Sequence, residues 1–227
     1  MVLANCLYPT SCLTRPGTNH FLPMHIDRNL PTVEPGMSFH NPRIKDRVSF
    51  LETAASSGGL RTVVCVDLAP GGGNTLHWHR HFDETFRPVE GTLGIQLERQ
   101  ELRLTPGEQT TAPRGKRHRF FNPSSTEPIR FLVELKPASD GFERCIAYAY
   151  GLADDGLTSS TGVPKRPADL AMLAYWGDTY MPGIMGLVMR LLHRWGGRLV
   201  RKEKNLEALL RYLSTARHRR DSAPQPA

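Results

Sequence analysis

The sequence predicts an all-β domain, a sandwich or barrel, followed by a helical C-terminal extension. Three observations carry this expectation. Between Ser38 and Lys136, short runs of β-branched and aromatic residues alternate with Gly, Pro and Asn. The 227 residues include 18 prolines and 20 glycines, enough for frequent turns. After Ala138 this texture gives way to stretches with a helical period.

Eight strands are expected in order, over 47–53, 60–69, 75–79, 84–91, 93–99, 101–105, 117–122 and 129–136. Eight short strands at this spacing fit a closed or two-layered β architecture. Helices are expected over 141–156, 167–177, 183–200 and 203–217. This divides the chain into an N-terminal extension (1–36), partly disordered, a β domain (37–138), a helical region (139–220) and a disordered tail (221–227).

The formal charge of +7 is unevenly placed. Residues 1–163 hold 17 basic and 17 acidic side chains, whereas 164–227 hold 12 and 5, so the excess lies in the last quarter. A neutral β domain argues against a nucleic-acid partner and leaves an anionic partner or membrane surface for the tail. Cys6, Cys12, Cys65 and Cys145 form no C-x-x-C pair, which points to reduced thiols rather than a zinc knuckle or disulfide framework. The first 17 residues lack a basic start, and Pro9 breaks them before an apolar run develops, so a secretory signal is not expected. A cytoplasmic location follows as the expectation.

The densest chemistry is in "HWHRHFDETF", His77 to Phe86. Strand alternation puts His77 and His79 on one face, where two imidazoles reach one ion, and Glu84 can return from the adjoining strand. The positions Gly71, His77, His79, Glu84 and Gly91 are followed, after a gap of fifteen residues, by Gly107, Pro113, Gly115, His118 and Asn122. These two clusters resemble the two motifs of the cupin superfamily at every fixed position. The resemblance implies a double-stranded β-helix, or jelly-roll, whose divalent transition metal is held by His77, His79, Glu84 and His118. The motif-bearing core covers 60–136. A wider similarity to bacterial single-barrel cupins, over about 37–183, rests on "RVSFLETAASSGG", "RFFNPSSTEPIRFLVELKPA" and "LAYWGDTYMPG".

Three imidazoles and a carboxylate suit Fe, Mn, Ni, Cu or Zn, and the ligand set does not choose among them, although Fe is favoured. Glu84 is also the candidate catalytic base. His81 shares the parity of His77 and His79 but lies outside the motif and is expected in a solvated turn. Arg80 and Asp83 are expected as surface charges. Arg87, Gln96, Arg119 and Phe121 are candidates to line the cavity. Gly91 and Gly107 fit strand turns, and Asn122 fits a turn whose backbone groups it satisfies.

Within the tail, Ile184, Leu187, Val188, Leu191, Leu192, Trp195 and Leu199 share a broad helical face, whereas Arg190, Arg194, Arg198 and Arg201 form a narrow stripe on another. Either this helix packs on the barrel or a dimer mate, or residues 183–204 lie peripherally on an anionic membrane. The apolar run is too short to span one. The resulting expectation is a metal-dependent enzyme, an oxygenase of dioxygenase type acting on a small organic molecule. An isomerase, a cyclase or a non-catalytic small-ligand sensor are the alternatives. A homodimer is the default assembly.

Overall fold

The computed structural model describes residues 30–181, 183–202 and 205–221. The expected N-terminal extension falls outside this up to Asn29, and the expected tail does so beyond Asp221. Eleven strands and four helices follow in chain order. The strands are β1 (Ser38–Asn41), β2 (Asp46–Glu52), β3 (Thr62–Leu68), β4 (Trp78–His79), β5 (Asp83–Glu90), β6 (Leu93–Leu97), β7 (Gln100–Leu104), β8 (Thr110–Ala112), β9 (His118–Phe121), β10 (Ile129–Lys136) and β11 (Thr179–Tyr180). The helices are α1 (Asp140–Asp154), α2 (Pro167–Trp176), α3 (Ile184–Leu199) and α4 (Glu207–Asp221).

A six-stranded sheet runs β1-β2-β3-β10-β5-β8 and faces a three-stranded sheet β7-β6-β9, all pairs antiparallel. This is a jelly-roll barrel with a helical extension. β5 reads DETFRPVE, and its alternation sends Glu84, Phe86 and Pro88 inward and leaves Asp83, Thr85 and Arg87 partly exposed. In the same register, β10 places Phe131, Val133 and Leu135 beside Pro88, Phe86 and Glu84. Phe131 of the large sheet meets Phe120 of the small one, with ring centroids 5.2 Å apart, so the core is closed by contact across the two layers. Gly91 turns β5 into β6 at φ 79°, and a Cβ there would lie 2.6 Å from the Ile129 side chain. Only glycine meets both demands.

The structure adds β1, β8 and β11 to the expected strands and shrinks the expected 75–79 strand to Trp78–His79. β1, β8 and β11 are two to four residues long and carry no long apolar run, so their strand state comes from pairing with a neighbour. The last helix begins at Glu207 rather than at 203.

Buried polar links tie the extension to the barrel. Ser139 caps α1 by accepting from the Phe142 amide, and Glu143, one turn on, accepts from the Ala54 amide and the Thr62 hydroxyl, each at 2.6 Å. The Tyr150 hydroxyl donates to Asp46 Oδ2 at 2.7 Å. α4 rests on α1 where the Tyr212 ring covers Gly151, and Val33 from the segment before β1 is fully buried in the core.

α3 packs on α2 along one side only. It meets α2 through small residues: a Cβ on Gly196 would stand 2.0 Å from the Ala171 carbonyl oxygen, and Gly197 abuts Tyr175. Leu199 packs against the core, but Leu187, Val188, Leu191 and Trp195 of the same apolar face are exposed. No helix of the described residues is long and apolar enough to cross a membrane.

Burial pushes the Asp46 carboxyl up to about 7, against the opposing pull of the Tyr150 hydrogen bond, and its second oxygen has no hydrogen-bond partner among the described residues. A folded-state value above the unfolded one gives stability that is complete below about 4 and is lost as pH rises through about 7. In urea unfolding, the stability of the wild type relative to Asp46→Asn should fall by on the order of 2 kcal/mol between pH 5 and pH 8. A pH-independent difference would show that Asp46 is already ionised in the folded protein.

Candidate metal centre

The inner faces of β4, β5 and β9 converge on one point. His77 and His118 exchange both backbone hydrogen bonds, at 3.0 and 2.8 Å, which sets their rings side by side with centroids 4.6 Å apart. His79 follows one pleat later on the same face, while Trp78 between them points the other way and stacks on Tyr180. Glu84 comes in from β5. The four side chains are all buried, and one donor atom from each lies within 4.8 Å of the others.

The imidazoles are held in one tautomer. His77 Nδ1 lies 2.8 Å from the Thr75 carbonyl, His118 Nδ1 2.9 Å from that of Lys116, and His79 Nδ1 3.3 Å from that of Asp178. A carbonyl only accepts, so each Nδ1 carries the proton and donates it, and each Nε2 faces the centre with its lone pair. His77 Nε2 and His79 Nε2 stand 3.0 Å apart, and Glu84 Oε2 stands 2.6 Å from His118 Nε2 and 3.6 Å from His79 Nε2. Acceptors packed this closely repel one another unless a proton or cation sits among them. The donor set therefore fits a transition metal bound by three nitrogens and one oxygen.

Electrostatics agree with that fit. Burial holds the His77 imidazole down to about 3, helped by His79 and His118, and burial also lowers His79. Burial would raise the Glu84 carboxyl, but His79 and His118 outweigh it and bring it to about 2. Burial also opposes charge on His118, yet the hydrogen bond and charge of Glu84 raise it. His77 and His79 are thus held neutral beside an ionised Glu84, which favours a proton, or a cation in its place, at His118. A carboxylate this acidic is a weak base at neutral pH.

Aromatic rings wall the site. Phe82 stacks on His79 at 4.4 Å, Phe142 of α1 meets both rings edge-on, and Phe86 lies 5.9 Å from His118. They exclude water and raise the strength of every charge inside.

The other sequence candidates lie elsewhere. His81 is half exposed and pairs with Asp178 at 2.9 Å, outside the cluster. Asp83 pairs with Arg114, and the Arg80 guanidinium lies over the Tyr180 ring. Arg87, Gln96, Arg119 and Phe121 are on the face opposite the cluster, because β5 sends Glu84 and Phe86 inward and β9 sends His118 and Phe120 inward. Arg87 binds Glu134 and Gln109, Arg119 binds Gln96, and Phe121 lies under the guanidinium groups of Arg103 and Arg119. Asn122 has its expected role: it donates to the carbonyls of Leu68 and Glu127 and accepts from the Ser124 amide.

Asp178 is the residue that motif reading did not assign, although it sits in the "LAYWGDTYMPG" stretch. It takes φ 46°, directly before β11, which pairs with β4. Its Oδ2 accepts from the amides of Arg80 and His81, each at 2.8 Å, while its backbone oxygen faces His79 Nδ1. One residue thus pins the turn after His79 and orients the ring.

A metal-binding jelly-roll is the class that this fold and site define. Residues 64–134 match the family model described as "Cupin domain", and the chain carries a cupin domain there. Among curated proteins, it is 33% identical over 72 residues to the tetracenomycin polyketide synthase protein TcmJ of Streptomyces glaucescens, a match covering 32% of this chain and 48% of that protein. It is 39% identical over 70 residues to the oxidoreductase iacF of Pestalotiopsis fici, covering 30% of this chain and 34% of that one. The chain spans less than half the length of these curated relatives. Among solved structures, KdgF from Halomonas sp. is 20% identical with a TM-score of 0.40, over 45% of this chain and 87% of that one.

Replacing Asp178 by Ala should free the turn after His79, loosen the carbonyl that holds the His79 ring and weaken divalent-metal affinity by roughly 10–100-fold. Titration against a chelating dye measures this. His118→Ala should abolish binding, and His81→Gln should leave it nearly unchanged. A D178A protein that binds metal as the wild type does would show that the Asp178 carboxylate does not position His79.

Proposed function

We propose that this chain is a metal-dependent oxygenase acting on a small organic molecule, with His77, His79, Glu84 and His118 as the metal ligands. The observation that carries the reading is the convergence of three imidazole Nε2 atoms, each backed by a carbonyl at Nδ1, with one ionised carboxylate inside an aromatic wall. Four protein donors leave room for exogenous ligands on an ion that takes more than four, which is what a catalytic centre needs. The names of the two curated relatives, an oxidoreductase and a polyketide synthase protein, support oxidation chemistry on a polyketide-like substrate.

A bound transition metal supplies Lewis acidity and redox capacity. The chain's own contribution is positional and electrostatic. The carbonyls of Thr75, Asp178 and Lys116 fix the imidazole tautomers, and Glu84 supplies the single negative charge that balances the cation. The rings of Phe82, Phe86 and Phe142 exclude bulk water and offer an apolar surface to a flat substrate. Glu84 serves first as an anionic ligand, since its low pKa disfavours the base role.

Protein purified with its metal should hold close to one equivalent per chain and consume oxygen when offered a panel of small phenolic and polyketide-like compounds. His79→Ala and Glu84→Ala should reduce uptake to background and lower metal content. Full metal content with no oxygen uptake across the panel would overturn the oxygenase reading and leave metal binding intact.

A further inference from the structure

α3 uses only part of its surface to join the fold. Met189, Gly196 and Val200 are buried against its neighbours. Most of the rest faces outward, and it is not polar: Leu187 is 63% exposed, Leu191 61%, Val188 42% and Trp195 40%. Beside these residues, three to four positions apart along the chain, run the exposed arginines 190, 194, 198 and 201.

Ion pairing separates these arginines from those of α4. In α4, Arg211 pairs with Asp155, Arg217 and Arg220 pair with Glu34, and Arg219 lies 3.9 Å from Asp154. None of Arg190, Arg194, Arg198 and Arg201 forms an ion pair with a described residue. A hollow of about 250 Å³ beside them is lined by Arg80, Tyr180, Arg190, His193 and Arg194, with no acidic residue in its wall.

We infer that α3 docks this protein on an anionic lipid surface, with the arginine row on the headgroup phosphates and Leu187, Leu191 and Trp195 among the upper acyl chains. Charge complementarity selects this occupant. A second copy would bring the unpaired arginine row of its own α3 to the same interface, adding like charges. Residues 1–29 carry only Arg15, Asp27 and Arg28 as charges apart from histidine, and so offer no counterpart to four arginines. At 16 residues, about 24 Å long, α3 lies along a bilayer rather than across it. Only residues 181–183 separate it from β11, so docking brings the strand that orients His79 to the membrane face.

Co-sedimentation of the full chain with vesicles of phosphatidylcholine, alone or with phosphatidylglycerol, tests this. The expected result is binding to the anionic vesicles only, weakening as salt rises. Each of Arg190→Gln, Arg194→Gln, Arg198→Gln and Arg201→Gln should weaken binding roughly fivefold. A combined L187Q/L191Q/W195Q variant should lose binding with unchanged Tm and circular dichroism. Trp195 fluorescence, isolated by comparison with W195F, should shift to the blue on binding, and inorganic phosphate should not compete at matched ionic strength.

No binding to anionic vesicles at low salt would overturn the inference, as would equal binding to neutral ones. So would a concentration-dependent dimer that the L187Q/L191Q/W195Q variant abolishes, in the absence of vesicle binding. Shielding of Trp195 from iodide in the free monomer would place another segment of the chain on this face. Displacement by free phosphate would reduce the arginine row to a small-anion site.

Discussion

The structure depends on holding three imidazoles and a carboxylate at one buried point inside a barrel otherwise filled with Phe, Val, Leu and Ile. Polar groups taken out of water are costly unless each donor and acceptor finds a partner. Here the outer nitrogen of each ring is satisfied by the backbone, so the cost is met on one side, while the inner nitrogens remain as close-packed acceptors. The barrel has in this way spent its rigidity on keeping four lone-pair donors together, an arrangement that only a proton or a cation relieves.

That arrangement explains why the helical extension is part of the site rather than an appendage. The carbonyls of Thr75 and Lys116 belong to the β domain, but the third belongs to Asp178, nearly a hundred residues after His79. β11 reaches that place because α1 and α2 carry the chain from β10 back to β4, and α1 is fixed to the barrel by Glu143 and by the Tyr150–Asp46 pair. Phe142, next to that anchor, supplies part of the aromatic wall. Packing of the extension and geometry of the cluster are therefore one problem.

The basic character of the C-terminal region is divided between two helices by their acidic neighbours. α4 meets Glu34, Asp154 and Asp155, so its arginines fasten the helix to the segment before β1 and to the end of α1. α3 meets α2, which it approaches through glycine, and its arginines stay outside. Composition alone cannot separate these cases, since both helices are rich in arginine and leucine.

Periodicity was enough to read a β sandwich or barrel and the four helices from the sequence, and the resemblance to the cupin motifs implied the jelly-roll and the four clustered residues. Period-two alternation places His77 with His79 and separates Glu84 from Arg87, and the positions of Glu84 and His118 follow the cupin spacing. These features are local, or repeat at a fixed distance, so a linear string can carry them. What the tertiary structure decided is non-local. β1, β8 and β11 are strands because of their partners, and Arg87, Gln96, Arg119 and Phe121 face outward because β6–β9 register and β5 phase put them opposite the cluster. The role of Asp178 required a contact across 99 residues, and the exposure of the α3 leucines required knowing that glycine, the smallest side chain, had taken the helix–helix contact. Sequence determines which face a residue can occupy; only packing decides what that face meets.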